Sequence, residues 1–386
     1  MTAVPIGPRH AGPPARGRSQ RGQAMLLVVM LLGMATALLV YGMVDTNSLA
    51  LRRDKDVAAA FAQAKQALIG RAVADDTRPG SLPCPDTDND GSAELFVGND
   101  CPSYIGRLPW KTLGLPDLRD DAGERLWYAL APAFRDDSSA GLLDNDTKGS
   151  ITVYQDSTST LLTAQAVAVI FAPGPVVAGQ IRDAANANNP ANYLDTTGGV
   201  NNTIAAGPFI SAQASSTFND RLLAVTTAHL MPVVEIRVAR EMIALLDKYK
   251  QFSSCNCYPW AANNFDDDSV TGRTQGMVPI EVALPEAWGS GTIPSVPSWM
   301  IASNEWGKKF YYAIAPSESQ DHTAGTITVN GASKNLALII TGPAGASRPS
   351  TNLANYVDDA ENRDGGTIYI SPSSTAYARD RIYTIP

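Results

Sequence analysis

The feature that most constrains the fold is an uncharged run of residues close to the N-terminus. Residues 24–44, AMLLVVMLLGMATALLVYGMV, contain no Asp, Glu, Lys or Arg. A helix of this length covers about the 30 Å of a bilayer's hydrocarbon core. Four arginines precede the run and Asp45 follows it. The positive-inside rule then predicts a single membrane span with a cytoplasmic N-terminus and an exported body after Asp45. A cleaved secretory signal is the alternative, but its apolar stretch is usually shorter.

Helical periodicity continues beyond the uncharged run. Residues 49–74 contain no proline, and Val57, Phe61, Ala64 and Leu68 recur at helical spacing. The apolar stripe against a polar back is typical of an amphipathic helix. The sequence therefore predicts a transmembrane helix over 23–45 that continues into an amphipathic helix.

The residues before the uncharged run resemble a known processing site. Residues 21–28, RGQAMLLV, are similar to the cleavage site of type IV prepilins, where a prepilin peptidase cuts after glycine and methylates the new N-terminus. The resemblance implies a basic leader over 1–22 and cleavage between Gly22 and Gln23. Gln23 replaces the usual aromatic residue, and Leu27 replaces the usual glutamate at the fifth mature position. The family tolerates that loss in minor subunits such as the K-type tip pseudopilins. An uncleaved signal anchor is the alternative.

The body of the chain repeats itself. Five segments recur in the same order, which predicts two related halves over 46–226 and 227–386. The pairs are 123–132 with 307–316, 151–153 with 327–329, 168–174 with 337–343, 192–195 with 355–358, and 220–222 with 380–382.

Each half reads as a helix followed by strands. Helices are expected over 56–74 and 233–250, with Pro232 in a tolerated first-turn position. Alternating strands must bury one face, so each helix is expected to pack on an antiparallel sheet. The predicted fold class is α+β, with a long N-terminal helix carrying two tandem pilin-like heads. Strands are expected over 126–130, 151–154 and 166–171, and the aromatic residues expected in the core are Trp110, Trp127, Tyr128, Tyr311 and Tyr312.

Four cysteines in an exported body indicate disulfides. Of the three possible pairings, we favour Cys84 with Cys101 and Cys255 with Cys257. The alignment of the halves places Cys257 opposite Cys84. Zinc ligation is the alternative, although no histidine lies nearby.

An acidic segment follows Cys84. Residues 86–91, DTDNDG, match the start of an EF-hand-type calcium loop, whose alternating carboxylates wrap a hard cation. Val97 stands where the bidentate glutamate is expected, so Glu94, Asn99 or Asp100 can substitute only if the loop folds back. The predicted calcium ligands are Asp86, Asp88, Asp90 and Glu94. An acidic, solvated turn is the alternative.

Composition excludes some functions. The net charge is −8, and four arginines within residues 1–22 leave −12 on the remainder, so nucleic acid is an unsuitable partner. No catalytic motif is present, and the three histidines, at 10, 229 and 322, are interpreted as structural or surface residues. The chain is therefore predicted not to be an enzyme.

The resemblance implies a minor pilin or pseudopilin that starts or caps a type IV pilus or type II secretion filament. It also implies a single-pass inner-membrane protein whose body is periplasmic or on an extracellular filament. Its expected partners are other pilins, an inner-membrane assembly platform, prepilin peptidase and membrane lipid, with calcium as the only candidate cofactor. An uncleaved, membrane-anchored periplasmic binding protein is the first alternative. A periplasmic hydrolase using His229 or His322 is the second.

Overall fold

The computed structural model describes residues 21–263, 270–279, 296–301, 306–343, 357–371 and 380–385. The chain divides into two compact units, Met1–Lys55 and Asp56–Pro386. Most of the predicted leader, with His10, lies outside the described residues, as do the acidic residues 266–268.

Two long helices and one short helix are described. They are α1 (Arg21–Ala74), α2 (Thr227–Phe252) and α3 (Ser298–Ile301). Helix α2 begins six residues earlier than the sequence predicts, so Pro232 lies inside it rather than in its first turn. Thr226 starts this helix through a capping box, in which His229 accepts a hydrogen bond from the Thr226 N–H.

The predicted transmembrane helix over 23–45 is wrong, and so is the assignment to a single-pass inner-membrane protein. Within the described residues, no helix is both long and apolar enough to cross a membrane. Helix α1 extends beyond the uncharged run, through the charged residues 52–56, to Ala74. What remains of the predicted fold class is a mixture of helix and sheet.

The strands fall into two groups. The first comprises β1 (Ile105–Arg107), β2 (Trp127–Leu130), β3 (Ile151–Gln155), β4 (Ser157–Ala172), β5 (Thr196–Thr197), β6 (Val200–Asn201), β7 (Phe209–Ser211) and β8 (Arg221–Thr226). The second comprises β9 (Gln275–Met277), β10 (Phe310–Ile314), β11 (Ile327–Val329), β12 (Ala332–Lys334), β13 (Leu336–Ile340), β14 (Ile368–Tyr369) and β15 (Arg381–Thr384).

The same strand order occurs in both groups. Strands β1, β2, β4 and β8 neighbour one another in that order, and β9, β10, β13 and β15 do the same. These pairs are antiparallel, as predicted. Each group also contains a parallel pair that the sequence did not predict, β3 with β7 and β11 with β14. The division of the chain at residue 226 stays a prediction.

Two buried tyrosines fix the correspondence between the groups. The Tyr128 hydroxyl donates to the Pro83 carbonyl at 3.2 Å, and the Tyr312 hydroxyl donates to the Pro259 carbonyl. Tyr128 and Tyr312 are equivalent in the repeated segments, so the two prolines that they contact are equivalent too. The residue after each proline is then Cys84 in the first group and Trp260 in the second. The alignment of Cys257 with Cys84 is therefore wrong.

The core lies between the helices and the sheets of the second unit. The stripe predicted on the amphipathic part of α1 is buried there, with Val57, Phe61, Ala64 and Leu68 all at most 9% exposed. Helix α2 packs against β4, β8 and β13, so it contacts both groups of strands. Four of the five predicted core aromatics are buried, while Trp110 is half-buried in a turn.

Polar contacts also join the two groups of strands. The Asn145 side-chain amide donates to the Glu235 carboxylate at 3.0 Å and to the Thr341 carbonyl at 2.7 Å. Arg381 pairs with the same glutamate. Because these contacts are buried, they hold the β13 and β15 end of the second group in a fixed position on the first.

Candidate functional site

A disulfide holds the acidic loop. Cys84 and Cys101 are bonded, with their Cα atoms 5.6 Å apart, which confirms the predicted pairing. Asp86 exchanges main-chain hydrogen bonds with Arg107 at 3.0 and 2.6 Å, so the start of the loop is attached to the edge of β1. The loop is thus fixed at its base by a covalent bond and by the sheet.

The loop folds back as the predicted calcium site requires. Glu94 accepts hydrogen bonds from the main-chain N–H and the hydroxyl of Thr87, at 2.9 and 2.6 Å. This brings its carboxylate to Asp86 and Asp88, and one oxygen from each of the three lies within 4.8 Å of the others. Such spacing allows three carboxylates to share one cation with oxygen ligands at about 2.3–2.6 Å.

Asp90, the fourth predicted ligand, is not part of this group. Its carboxylate accepts the N–H of Ser92 at 2.6 Å, and this hydrogen bond lowers the pKa of Asp90. Asp86 is already engaged by the loop, because it accepts the N–H groups of Asn89 and Gly91 at 2.6 and 2.7 Å. Burial raises the pKa of Asp86. Calcium binding itself stays a prediction.

The other two cysteines form a separate bridge. Cys255 and Cys257 are bonded across Asn256, with Cα atoms 5.2 Å apart. Within the described residues, the group able to hold a metal contains carboxylates and no cysteine. The zinc alternative therefore has no ligand set there.

A pocket that the sequence analysis missed lies beside the acidic loop. It has a volume of about 290 Å³ and is open to solvent. It is lined by Asn89, Arg107, Arg119, Glu124, Arg125 and Tyr193. Asn89 belongs to the acidic loop, and both its carbonyl and its side-chain oxygen accept hydrogen bonds from Arg125, at 2.7 and 2.8 Å. The loop therefore forms one wall of the pocket.

Two arginines of the pocket are held by the carboxylate of Asp117. Asp117 pairs with Arg119 at 2.6 Å and with Arg125 at 2.9 Å. Arg182 pairs with Glu124 at 3.3 Å and lies over the Tyr193 ring, 4.9 Å from its centroid. These ion pairs fix the direction of the side chains, so the pocket is formed before any ligand arrives.

The remaining predicted site residues are placed as follows. Gly22 and Gln23 lie in the first turn of α1. His229 caps α2, and burial lowers its pKa. His322 is exposed in a turn with a φ of 46°. The two histidines lie in different parts of the fold, His229 at the start of α2 and His322 in an exposed segment.

Comparisons of the chain with protein-family models, with curated proteins and with solved structures found no match.

Proposed function

We propose that the chain is a minor subunit of a pilin-type filament, of the kind built in type IV pili or type II secretion, and that it helps to start or cap the filament. The observation that carries the proposal is helix α1, which is continuous over 54 residues from Arg21 to Ala74. Residues 56–74 of this helix are built into the core of a β-rich body. A helix of this length whose C-terminal part packs on a β-rich body is what the resemblance to pilins implies for a filament subunit.

The first part of α1 supports the proposal through its surface. Met30, Leu31, Leu32 and Met34 are each 60–65% exposed. Large apolar side chains exposed together on one helix are stabilised when another apolar surface covers them. In a filament, that surface is supplied by the equivalent helices of neighbouring subunits.

The N-terminal sequence supports the same function. Gly22 and Gln23 form the proposed cleavage site for prepilin peptidase, and the mature chain then begins two residues into α1. Leu27 stands where shaft subunits have the glutamate that sets their register. A subunit without that glutamate suits a position at the end of the filament. A body with two groups of strands is also bulky for a shaft position.

The experiment is fractionation of sheared filaments from the producing cells. The full chain is expected in the filament fraction, and Leu31→Asp is expected to remove it from that fraction, since a charge cannot pack between apolar helices. Leu95→Asp is the matched control, because Leu95 is 85% exposed on the β-rich body and its variant should still assemble. Absence of the parent chain from filaments, or equal assembly of both variants, would contradict the proposal.

A further inference from the structure

Arg107 is a buried cation with unusual surroundings. Only 3% of its surface is exposed. Its guanidinium lies between two aromatic rings, 4.4 Å from the Trp127 centroid and 4.0 Å from that of Tyr193. It donates to the carbonyls of Arg125 and Ala187, each at 3.0 Å.

The charge of Arg107 has no carboxylate in direct contact. Among the described residues, no carboxylate oxygen forms a salt bridge with it, and its buried Nε–H has no hydrogen-bond partner. Glu124 attracts its charge without forming an ion pair, and the Tyr193 side chain is its remaining polar neighbour. Burial lowers the pKa of Arg107 to about 10. Burying an unpaired guanidinium is costly, so a fold keeps one only where something offsets that cost.

The second group of strands shows that the fold does not need an arginine here. Asp86 forms an isolated antiparallel β-bridge with Arg107 of β1, and Ala262 forms the same main-chain bridge with Met277 of β9. Met277 therefore occupies the equivalent position, and it is buried in the core with Tyr311. The same arrangement of strands is built with an apolar side chain, so the reason for Arg107 lies outside the folding of the sheet.

The charges around the pocket indicate which ligand it takes. Arg107, Arg119, Arg125 and Arg182 lie in or beside it, against the two carboxylates of Asp117 and Glu124. The residues that line the pocket include three arginines and one carboxylate, that of Glu124, in a protein whose net charge is −8. Planar guanidinium groups with fixed directions are suited to oxyanions, which accept two parallel hydrogen bonds.

We propose that this pocket binds a compact oxyanion, the carboxylate or phosphate group of a ligand, with Arg107 as the buried anchor and Arg119 at the open side. A volume of about 290 Å³ matches a small molecule or a single sugar or side chain rather than a folded partner. Tyr193 lines the pocket and packs against the guanidinium groups of Arg107 and Arg182, which keeps both beside the ligand.

The experiment is a calorimetric titration of the full chain with two anions, glucuronate and inorganic phosphate, and with glucose as the uncharged control. Saturable binding of at least one anion is expected, with no binding of glucose. Tighter binding of glucuronate assigns the pocket to carboxylates, and tighter binding of phosphate assigns it to phosphate groups. Because the contact is ionic, the affinity is expected to fall as salt is added.

Three variants locate the binding. Arg107→Met introduces the side chain that Met277 supplies at the equivalent position of the second sheet. Arg119→Gln changes an arginine whose side chain is 46% exposed. Each is expected to weaken anion binding by at least about tenfold, the loss of one charge-assisted hydrogen bond. Arg240→Met, on the exposed side of α2, removes the same charge elsewhere and is expected to leave the affinity unchanged.

Arg119→Gln keeps the test decisive if Arg107→Met does not fold. The proposal is overturned if neither anion binds the parent chain. It is also overturned if a folded pocket variant binds as tightly as the parent, or if Arg240→Met loses as much affinity as the pocket variants.

Discussion

Arg107 and Met277 occupy equivalent positions at the edges of two similar sheets, one facing an open pocket and the other buried in the core. Since methionine serves at this position in the second sheet, the sheet does not require an arginine there, and Arg107 is a feature of the first sheet alone. A polar side chain that the repeated architecture can replace by methionine is a candidate for binding rather than for folding.

This comparison predicts that substitutions of two buried arginines, Arg78 and Arg107, lower the stability of the chain by different amounts. Arg78 donates to four main-chain carbonyls, those of residues 133, 135, 137 and 141. Arg78→Met leaves all four without that partner and is expected to lower the free energy of unfolding by at least about 3 kcal/mol. Arg107→Met loses two such bonds and the two aromatic contacts, so a smaller loss than that of Arg78→Met is expected, since both variants remove a buried charge. Urea unfolding of both variants measures the difference, and equal losses would contradict the distinction.

A close approach of the loop to β1 predicts the cost of a single methyl group. A Cβ on Gly106 would lie 2.4 Å from the Asp86 carbonyl oxygen, which is main chain and cannot rotate away. Gly106→Ala is expected to lower the free energy of unfolding by about 1–3 kcal/mol. Gly70→Ala in α1 is the control, because nothing lies within 4 Å of its Cβ, and it is expected to be neutral or stabilising by up to about 1 kcal/mol. A neutral Gly106→Ala would show that the strand edge is not packed as described.

The two disulfides are expected to differ in their effect on stability. Cys84 and Cys101 are 17 positions apart, and Cys255 and Cys257 are 2 apart. In the chain-entropy account, replacing the first pair by serine costs about 3 kcal/mol and replacing the second costs about half as much. Thermal unfolding of the two double-serine variants, under conditions that keep the remaining bridge oxidised, measures the ratio. A larger loss from the short bridge would contradict the account.

Asp220 gives the fold a pH dependence. Burial, followed by the neighbouring Asp195 carboxylate, raises the pKa of Asp220 to about 8, whereas an unfolded aspartate titrates near about 3.9. Between these values the folded chain holds a proton that the unfolded chain has lost. The contribution of Asp220 is therefore fully present below about pH 4 and is lost as the pH rises towards about 8.

Asp220→Asn removes this titration and keeps an oxygen that can accept from the Asp195 N–H and the Asn202 amide. The variant is expected to gain stability relative to the parent as the pH rises from 4.5 to 7.5, measured by urea unfolding at both values. Asp121→Asn, at an exposed carboxyl, is the control for the substitution itself. A constant difference for Asp220→Asn would contradict the raised pKa.

Several features of the fold could be predicted from the sequence because they depend on neighbouring residues. The strand at 127–130 and the helix ending at Ala74 follow from local periodicity, and the Cys84–Cys101 bridge follows from the spacing of two cysteines. The membrane span predicted over 23–45 was wrong, since no helix among the described residues is long and apolar enough to cross a membrane.

The candidate site was harder to predict because tertiary contacts build it. Asp90 was assigned as a ligand by pattern, but its carboxylate accepts the Ser92 N–H and lies outside the group of Asp86, Asp88 and Glu94. Arg107 and Tyr193 are 86 positions apart and meet only after the sheet has formed. Cys257 was aligned with Cys84 by residue type, whereas the hydrogen bonds of Tyr128 and Tyr312 set the true correspondence.

The most direct test of the proposed filament function is the N-terminal mass of the chain from its producing cells, with and without active prepilin peptidase. The account predicts a mature chain that begins at Gln23, with a methylated amine, when the peptidase is active, and an uncleaved chain when it is not. A chain that keeps Met1 or Thr2 in both cases would contradict the account.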